Sequence, residues 1–190
     1  TKTREFLLQT SILDRMTGSL CDAVTDRDGS QNMLEWLERA NLFIVPLDRR
    51  RQWYRYHHLF ADLLYQRLRR RQPDWIPVLH SRASQWYEQN GFIDEAIEHA
   101  LRGEHFERAA NLINAQTDVM WQRGDHAKLR GWLPKLPEHI LFTKPNLCLH
   151  HGWYLFASGR HEKAELILQA AEQALNGDAA ETGSQPQGSL

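Results

Sequence analysis

Hydrophobic positions divide the chain into two parts with different periodicity. In the first part, three segments place apolar residues every three or four positions, as a helix with one buried face requires, and polar turns separate them. An apolar run, 42–47, and an aromatic run, 52–56, follow on either side of the arginine-rich turn 48–51. Two such runs around a short polar turn predict a β-hairpin. Three helices and then a hairpin are the element order of a winged-helix domain, with the arginine turn as its wing.

The aromatic run leads directly into another helix pattern. Apolar residues recur on one helix face from Leu59 to Leu68, so a helix is predicted to begin at His57 or His58. Backbone N–H groups in the first turn of a helix lack intrahelical partners and carry partial positive charge, which favours an anion such as phosphate. This joint between strand and helix is the strongest functional candidate in the sequence.

Beyond Pro73 and Pro77 the strand signals stop and helical segments follow one another. Alanines and leucines follow Asn90-Gly91 and again Ser158-Gly159, with aromatic residues before each pair. Small residues at helix crossings, with aromatics between them, are typical of tetratricopeptide-like helix pairs. The pattern predicts helices at 76–90, 92–102, 105–115, 117–123, 126–133, 145–158 and 161–175.

The predicted fold class is mainly α, with a winged-helix-like subdomain of three helices and one β-hairpin followed by a tetratricopeptide-like α-solenoid segment. The last residues are rich in Gly, Ala, Ser and Gln and lack periodicity, which predicts disorder. The predicted division is a winged-helix-like module at 1–72, helical repeats at 73–175 and a disordered tail at 176–190.

Composition places the chain among ordinary globular proteins. Its 190 residues are 42% hydrophobic and 25% charged, and the net charge of −1 gives no global field that would attract nucleic acid or an acidic membrane surface. Cys21 and Cys148 lie far apart, and no signal peptide or membrane-spanning run is visible. We therefore expect a cytoplasmic protein with no disulfide and no membrane partner. Because the chain begins at Thr1 and opens on a helix-like run, we expect a piece of a longer protein.

Several kinds of chemistry are excluded by missing motifs. There is no GxxxxGK[ST] loop, so the chain by itself is not expected to hydrolyse a nucleotide, and we predict no catalytic residues and no enzyme activity for it. None of the ten histidines pair at helical spacing and no CxxC occurs, so no metal site is predicted. Trp36, Trp86 and Trp121 are interpreted as core residues rather than cofactor contacts.

DNA binding by this chain is a weaker hypothesis. The wing arginines Arg49, Arg50 and Arg51 would suit phosphates, with Arg55 beside them. However, the third helix, which would enter the major groove, carries Glu35 and Glu38 and follows two aspartates at 26 and 28. These carboxylates would repel the DNA backbone, so a solvated loop or a surface for a neighbouring domain is favoured.

The residues alone leave two interpretations of the histidine pair open. In the first, one histidine packs against the hairpin aromatics and the other caps the helix. In the second, His57 donates a hydrogen bond to a phosphate that another domain presents. Imidazole suits the second role, because a nearby anion favours its protonated form.

Four segments resemble the MalT-type large ATP-binding regulators of the LuxR family. The resemblance is strong over residues 3–71 and looser in the helical repeats. The segments are Phe6-Leu7-Leu8-Gln9-Thr10-Ser11-Ile12-Leu13-Asp14-Arg15, Leu20-Cys21-Asp22-Ala23-Val24-Thr25, Leu37-Glu38-Arg39-Ala40-Asn41-Leu42-Phe43 and Trp53-Tyr54-Arg55-Tyr56-His57-His58-Leu59-Phe60-Ala61-Asp62-Leu63-Leu64.

The resemblance implies a bacterial transcription regulator with several domains. Its members join an N-terminal ATPase of the STAND class to a winged helix, a tetratricopeptide-like inducer-binding region and a C-terminal helix-turn-helix. The full-length protein would bind ATP or ADP as a slow regulatory ATPase, while this chain would hold no cofactor itself. The implied partners are the ATPase domain, further repeats of the same chain, a small-molecule or protein inducer, another copy on activation, and DNA only through the helix-turn-helix.

The resemblance also assigns roles to residues at the joint. Tyr56-His57-His58 falls where related STAND proteins carry a Met-His-Asp motif, whose His contacts the β-phosphate of ADP and holds the resting state. His57 takes the His position and His58 replaces Asp, so the predicted nucleotide-sensing residues are His57, His58 and Arg55. An inducer or partner surface on the repeats is predicted to include Trp121, Arg123, Trp132, His150, His151 and Tyr154. The alternative function is a non-catalytic helical-repeat scaffold for protein–protein interaction, with the winged helix as a structural adaptor.

Overall fold

The computed structural model describes the backbone of residues 2–182 and the side chains up to residue 173. Within this range it contains eleven α-helices, one 3₁₀ turn and one two-stranded antiparallel sheet. The chain forms two compact units, Thr1–His105 and Phe106–Leu190. The predicted mainly α fold, with a winged-helix-like start followed by helical repeats, is confirmed.

The first unit begins with the predicted three helices and hairpin. Thr17 caps the second helix, since its hydroxyl oxygen accepts a hydrogen bond from the Leu20 N–H at 3.1 Å. The strands pair antiparallel with Ile44 opposite Tyr56. The elements are α1 (Lys2–Thr10), α2 (Gly18–Thr25), α3 (Ser30–Arg39), β1 (Ile44–Pro46) and β2 (Tyr54–Tyr56).

Both strands are shorter than the predicted apolar and aromatic runs. Asn41 and Phe43 have positive φ values of 51° and 53°, which belong to a turn and not to extended strand. The chain therefore enters β1 only at Ile44. Trp36 is also 50% exposed on α3, so its interpretation as a core residue was wrong.

Strand β2 is held on both of its edges. One edge pairs with β1, and on the other the N–H groups of Met16 and Tyr54 each donate to the carbonyl of the other at 2.8 Å. Both side chains are fully buried. The segment between α1 and α2 thus acts as a third, one-residue strand that fixes the register of the hairpin.

Three more helices complete the first unit, namely α4 (His58–Arg71), α5 (Trp75–Gln89) and α6 (Ile93–Arg102). Helices α5 and α6 form a helical hairpin, and α5 also packs against α2. Arg82 of α5 donates to the Val24 carbonyl at 3.1 Å and pairs with Asp26 at 3.0 Å. The first helix pair beyond residue 72 is therefore part of the same compact unit as the winged helix.

A pair of buried histidines joins α5 to α6. The Nδ1 atoms of His80 and His99 lie 2.9 Å apart, and both side chains are almost fully buried. One ring must donate from Nδ1 and the other accept at Nδ1, so two neutral rings must have opposite tautomers. Burial lowers the pKa of both rings, for His80 to about 4, and the neighbouring His80 lowers that of His99 further.

The second unit is helical throughout its described residues. Its elements are α7 (Phe106–Arg123), α8 (His126–Trp132), a 3₁₀ turn (Leu133–Lys135), α9 (Glu138–Leu141), α10 (Pro145–Ala157) and α11 (His161–Thr182). None of the helices described here or in the first unit combines the length and apolar character needed to cross a membrane.

Three boundaries in the second unit differ from the predicted helices. The segments 105–115 and 117–123 form a single helix, α7, within which the Thr117 hydroxyl donates to the Ile113 carbonyl at 2.7 Å. Helix α9 has too few residues to show a period. Helix α11 extends into the predicted tail as far as Thr182, and residues 183–190 lie outside the described part of the chain.

Gly152 lets α10 approach α11 closely. A Cβ at this position would lie 2.8 Å from two side-chain carbons of Leu168. A Cβ added at Gly131 of α8 would have no neighbouring atom within 4 Å, so Gly131 serves as a matched comparison.

We expect the free energy of unfolding to fall as the pH is lowered from about 6.5 to about 4, the range in which unfolded but not folded His80 becomes protonated. Each buried histidine should contribute a slope of up to about 1.4 kcal/mol per pH unit, with stability rising as pH rises. Urea unfolding at a series of pH values measures this slope, and ring-proton magnetic resonance titration measures the pKa values directly.

The control for this prediction removes both rings together. His80→Leu/His99→Leu leaves no unpaired imidazole and should lose the histidine share of the slope, while His139→Gln, at an exposed position, should retain it. An unchanged slope in the double variant would contradict the prediction.

We expect Gly152→Ala to be less stable than Gly131→Ala by about 1–3 kcal/mol, because only the first adds a methyl group against a packed side chain. Both substitutions gain helix propensity, so their difference isolates the contact with Leu168. Thermal unfolding of the two variants measures it. Equal stabilities would contradict the prediction and show that the Leu168 side chain moves aside at no cost.

Candidate functional site

The predicted joint lies at the end of β2, where His57 is the N-cap residue of α4. Its backbone is extended, with φ −58° and ψ 134°, and its N–H donates to the Phe43 carbonyl at 2.7 Å. His57 thus closes the hairpin and opens the helix. Its position is set by backbone hydrogen bonds on both sides.

A buried hydrogen bond anchors this joint to the core. The Thr10 hydroxyl donates to the Phe6 carbonyl at 2.7 Å, so its oxygen accepts from the Tyr56 hydroxyl, also at 2.7 Å. Tyr56 is buried, and burial raises the pKa of its phenol well above the usual value. The residue before His57 is therefore fixed to α1.

The N-terminus of α4 is open to solvent. Among the described residues, the N–H groups of His58 and Leu59 have no acceptor, whereas those of Phe60 and Ala61 donate to the His57 carbonyl. The His57 side chain makes no capping hydrogen bond. The joint therefore presents two free N–H donors beside two exposed imidazoles.

The two histidines stack on each other and not on the hairpin. Their ring centroids are 4.6 Å apart with a 30° tilt. The aromatic residue that packs on the hairpin is Phe60, 5.1 Å from Phe43 and 5.8 Å from Tyr56. His57 therefore occupies the N-cap position without a side-chain cap bond, and its ring stacks on His58.

Arg55 and His58 line a cavity of about 450 Å³ beside the joint, while His57 lies outside its lining. Its wall includes the ion pair of Asp14 and Arg102, 3.1 Å apart, and one face of the buried His80. The structure therefore brings the three predicted nucleotide-sensing residues to the same end of α4 and places two of them on a polar cavity.

The wing arginines are exposed but the wing itself is ordered by Asp48. The Asp48 carboxylate accepts from the N–H groups of Trp53 at 2.7 Å and Gln52 at 3.3 Å. The hydrogen bond from Trp53 lowers the pKa of Asp48 most strongly. Arg51 pairs with Glu38 of α3 at 3.1 Å, so this arginine is partly neutralised by the helix that would have to enter a DNA groove.

A second cavity, of about 330 Å³, lies in the second unit between α7, α8 and α10. Of the six residues predicted for an inducer or partner surface, Trp121, His150 and Tyr154 line it. Arg123 is exposed outside this lining, and Trp132 and His151 are buried. Burial lowers the pKa of His151, and the Arg160 and Lys163 charges lower it further. The remaining lining residues are His126, Leu129, Arg130, Leu133, Trp153, Ala157 and Ser158.

Sequence reasoning missed two sets of residues in these sites. The His80–His99 contact joins positions 19 residues apart on two helices, which no helical spacing rule detects. Arg130 was also missed, and Trp153 carried a detectable signal, since it lies one turn beyond Leu149 and four positions before Ala157 on α10. No group of three metal-binding side chains is found among the described residues.

Comparison with known proteins also identifies a winged-helix domain at the start of the chain. The family described as MalT winged helix domain matches residues 1–76. Over 172 residues, 90% of the chain, the sequence is 30% identical to the HTH-type transcriptional regulator MalT of Vibrio parahaemolyticus. Residues 1–76 are therefore identified as a winged helix of the MalT type.

The chain is also similar to a protein that is named as a kinase and not as a transcription regulator. Over 172 residues the chain is 32% identical to the serine/threonine-protein kinase PknK of Mycobacterium tuberculosis. The matched region makes up 16% of PknK and 19% of the Vibrio MalT. The chain thus spans less than a fifth of these curated relatives, and it corresponds to a module that they share.

In this MalT-type winged helix, we expect Tyr56→Phe to lower the free energy of unfolding by about 1 kcal/mol, because the hydroxyl bonded to Thr10 is lost. The cost stays small since Thr10 keeps its bond to the Phe6 carbonyl. Tyr65→Phe is the control, as the half-buried Tyr65 on α4 makes no hydrogen bond within the described residues. Chemical denaturation measures the free energy of unfolding of both variants. An equal loss in the two would show that the Thr10–Tyr56 hydrogen bond does not stabilise the fold.

Proposed function

We propose that this chain is the switch module of a bacterial MalT-type transcription regulator. It senses the nucleotide bound to an ATPase domain through His57 and couples that state, with inducer binding on the helical repeats, to activation of transcription. The observation that carries the proposal is the open N-terminus of α4, where free N–H donors and exposed imidazoles meet on a joint anchored to the core.

The physical chemistry of the joint suits a phosphate. Helix N-termini attract anions because their free N–H groups point outward and the helix dipole adds positive potential. His57 and His58 add N–H donors at the same end, and Arg55 adds a positive charge on the adjacent strand. A β-phosphate presented by the ATPase domain would bind at the free N–H groups of α4 beside His57, with Arg55 and His58 on the adjacent cavity.

The proposed mechanism is a two-state switch in the full-length protein. In the resting state the winged helix closes over ADP through His57, and exchange for ATP together with inducer binding releases it. Release would expose surfaces for self-association, and DNA would be bound by a separate helix-turn-helix. Such a switch requires that ADP, ATP or inducer bind the two states with different affinity. The chain itself is proposed to be non-catalytic, within a protein that acts as a slow regulatory ATPase in the cytoplasm.

The likeness to a kinase favours a second candidate function. A protein named as a serine/threonine kinase and one named as a transcription regulator both match over the same length of this chain. The shared module could then be a non-catalytic helical-repeat scaffold for protein–protein interaction, with the winged helix as a structural adaptor. In this case the output is determined entirely outside the chain, and His57 has no role in nucleotide binding.

We expect His57→Ala in the full-length protein to weaken ADP binding about tenfold, equivalent to roughly 1.4 kcal/mol, because a donor to the phosphate is lost. His57→Gln should recover part of the affinity, since its amide can still donate. Isothermal titration calorimetry with ADP measures the three affinities. Since His57 is exposed and makes no side-chain hydrogen bond within the described residues, the substitutions should leave nucleotide-free stability unchanged.

The matched control is His139→Ala, which removes an exposed histidine far along the sequence in the second unit. This variant should bind ADP with the parent affinity. Equal affinity of the parent and His57→Ala would reject nucleotide sensing at the joint and favour the scaffold function.

A further inference from the structure

The cavity lined by α7, α8 and α10 has an aromatic wall in which two indole rings meet edge to face. The rings of Trp121 and Trp153 are perpendicular, with an interplanar angle of 90° and centroids 5.3 Å apart. His126 and His150 pack against Trp121 at 4.5 and 4.6 Å. Two indoles at right angles form a corner that presents one ring face and one ring edge to a flat molecule.

One side of this corner is largely exposed. Trp153 is 57% exposed, although an indole gains more than most side chains from burial. It lies on an apolar stripe of α10 with Leu149 and Phe156, which are 57% and 61% exposed. A ligand that covers the Trp153 face would remove apolar surface from water, and this is the main source of affinity the cavity offers.

The polar part of the lining is positive. Arg130 lines the cavity with its guanidinium 5.9 Å from the Tyr154 ring centroid, and no aspartate or glutamate is among the lining residues. Arg160 lies over the same Tyr154 ring at 5.5 Å. Within the described residues, neither arginine forms an ion pair. Burial lowers the pKa of His150, whereas the nearby Asp118 charge raises it.

We propose that this cavity binds a small planar aromatic anion, with its ring against the Trp121–Trp153 corner and its acidic group at Arg130. The cavity volume of about 330 Å³ fits a molecule of one to three rings. Guanidinium binds carboxylate, sulfonate or phosphate groups by paired hydrogen bonds, so the acidic group can be any of these. The role of such a ligand as an inducer rests on the proposed function, but its binding does not.

The first test uses two fluorescent probes that share a ring system and differ in charge. The probes are 8-anilinonaphthalene-1-sulfonate, an anion, and N-phenyl-1-naphthylamine, which is neutral. Titration of the 190-residue chain with each probe measures affinity and stoichiometry. We expect saturable one-site binding of both, with the sulfonate bound more tightly.

Three variants locate the binding. Trp153→Ala should weaken both probes about tenfold, because both stack on the indole. Arg130→Gln should weaken only the sulfonate, by a similar factor of about ten. Arg123→Gln removes an equal charge from an exposed position outside the cavity lining and should change neither affinity.

The possible outcomes distinguish binding in this cavity from a general charge effect and from binding elsewhere on the chain. Loss of sulfonate binding equally in Arg130→Gln and Arg123→Gln would show a general charge effect and overturn the proposal. Unsaturable binding, or binding unchanged by Trp153→Ala, would show that the probes sit elsewhere. Because Arg130 and Arg123 are exposed, both arginine variants should unfold like the parent, while Trp153→Ala should be slightly less stable because it loses the contact with Trp121. Binding is therefore compared at a temperature at which every variant is fully folded. Success here with failure of the His57 experiment would retain the cavity and reject the nucleotide switch.

Discussion

The first unit depends on the double pairing of β2. A two-stranded hairpin alone is marginally stable in water, and here each strand has only three residues. The reciprocal bonds between Met16 and Tyr54 give β2 a second neighbour, and the Tyr56 hydroxyl ties its last residue to α1. Because His57 follows directly, the geometry of the α4 N-terminus is set by contacts made in the core and not by the histidines themselves. This leaves both imidazoles free to bind.

Local patterns predicted most elements of the fold. Apolar spacing located the start of α4 and both ends of α5 and α6 to within one residue, and the paired runs around an arginine turn located the hairpin. Predictions failed where local and tertiary preferences compete. A break was predicted between residues 115 and 117 although α7 continues through it, with the Thr117 hydroxyl bonded inside the helix. Phe43 was assigned to a strand although it adopts positive φ. Neither effect is visible in a hydrophobic period.

The candidate sites were predictable only in part, for a similar reason. The joint was found because a strand pattern ends where a helix pattern begins, which is local information. The second cavity is built from three helices, so aromatic residues could be named but not sorted into lining and core. Trp132 and His151 turn inward, while Trp153 and Arg130 face the cavity. Side-chain direction around a helix decides this, and it depends on which neighbours pack against each face.

The two candidate sites belong to different compact units, and this constrains any mechanism that uses both. The linings of the two cavities have no side chain in common among the described residues. Coupling between them requires two states of the longer protein that differ at both places, with each ligand favouring one state. Binding at each site alone would then measure intrinsic affinity, and only the full-length protein would show an effect of one ligand on the other.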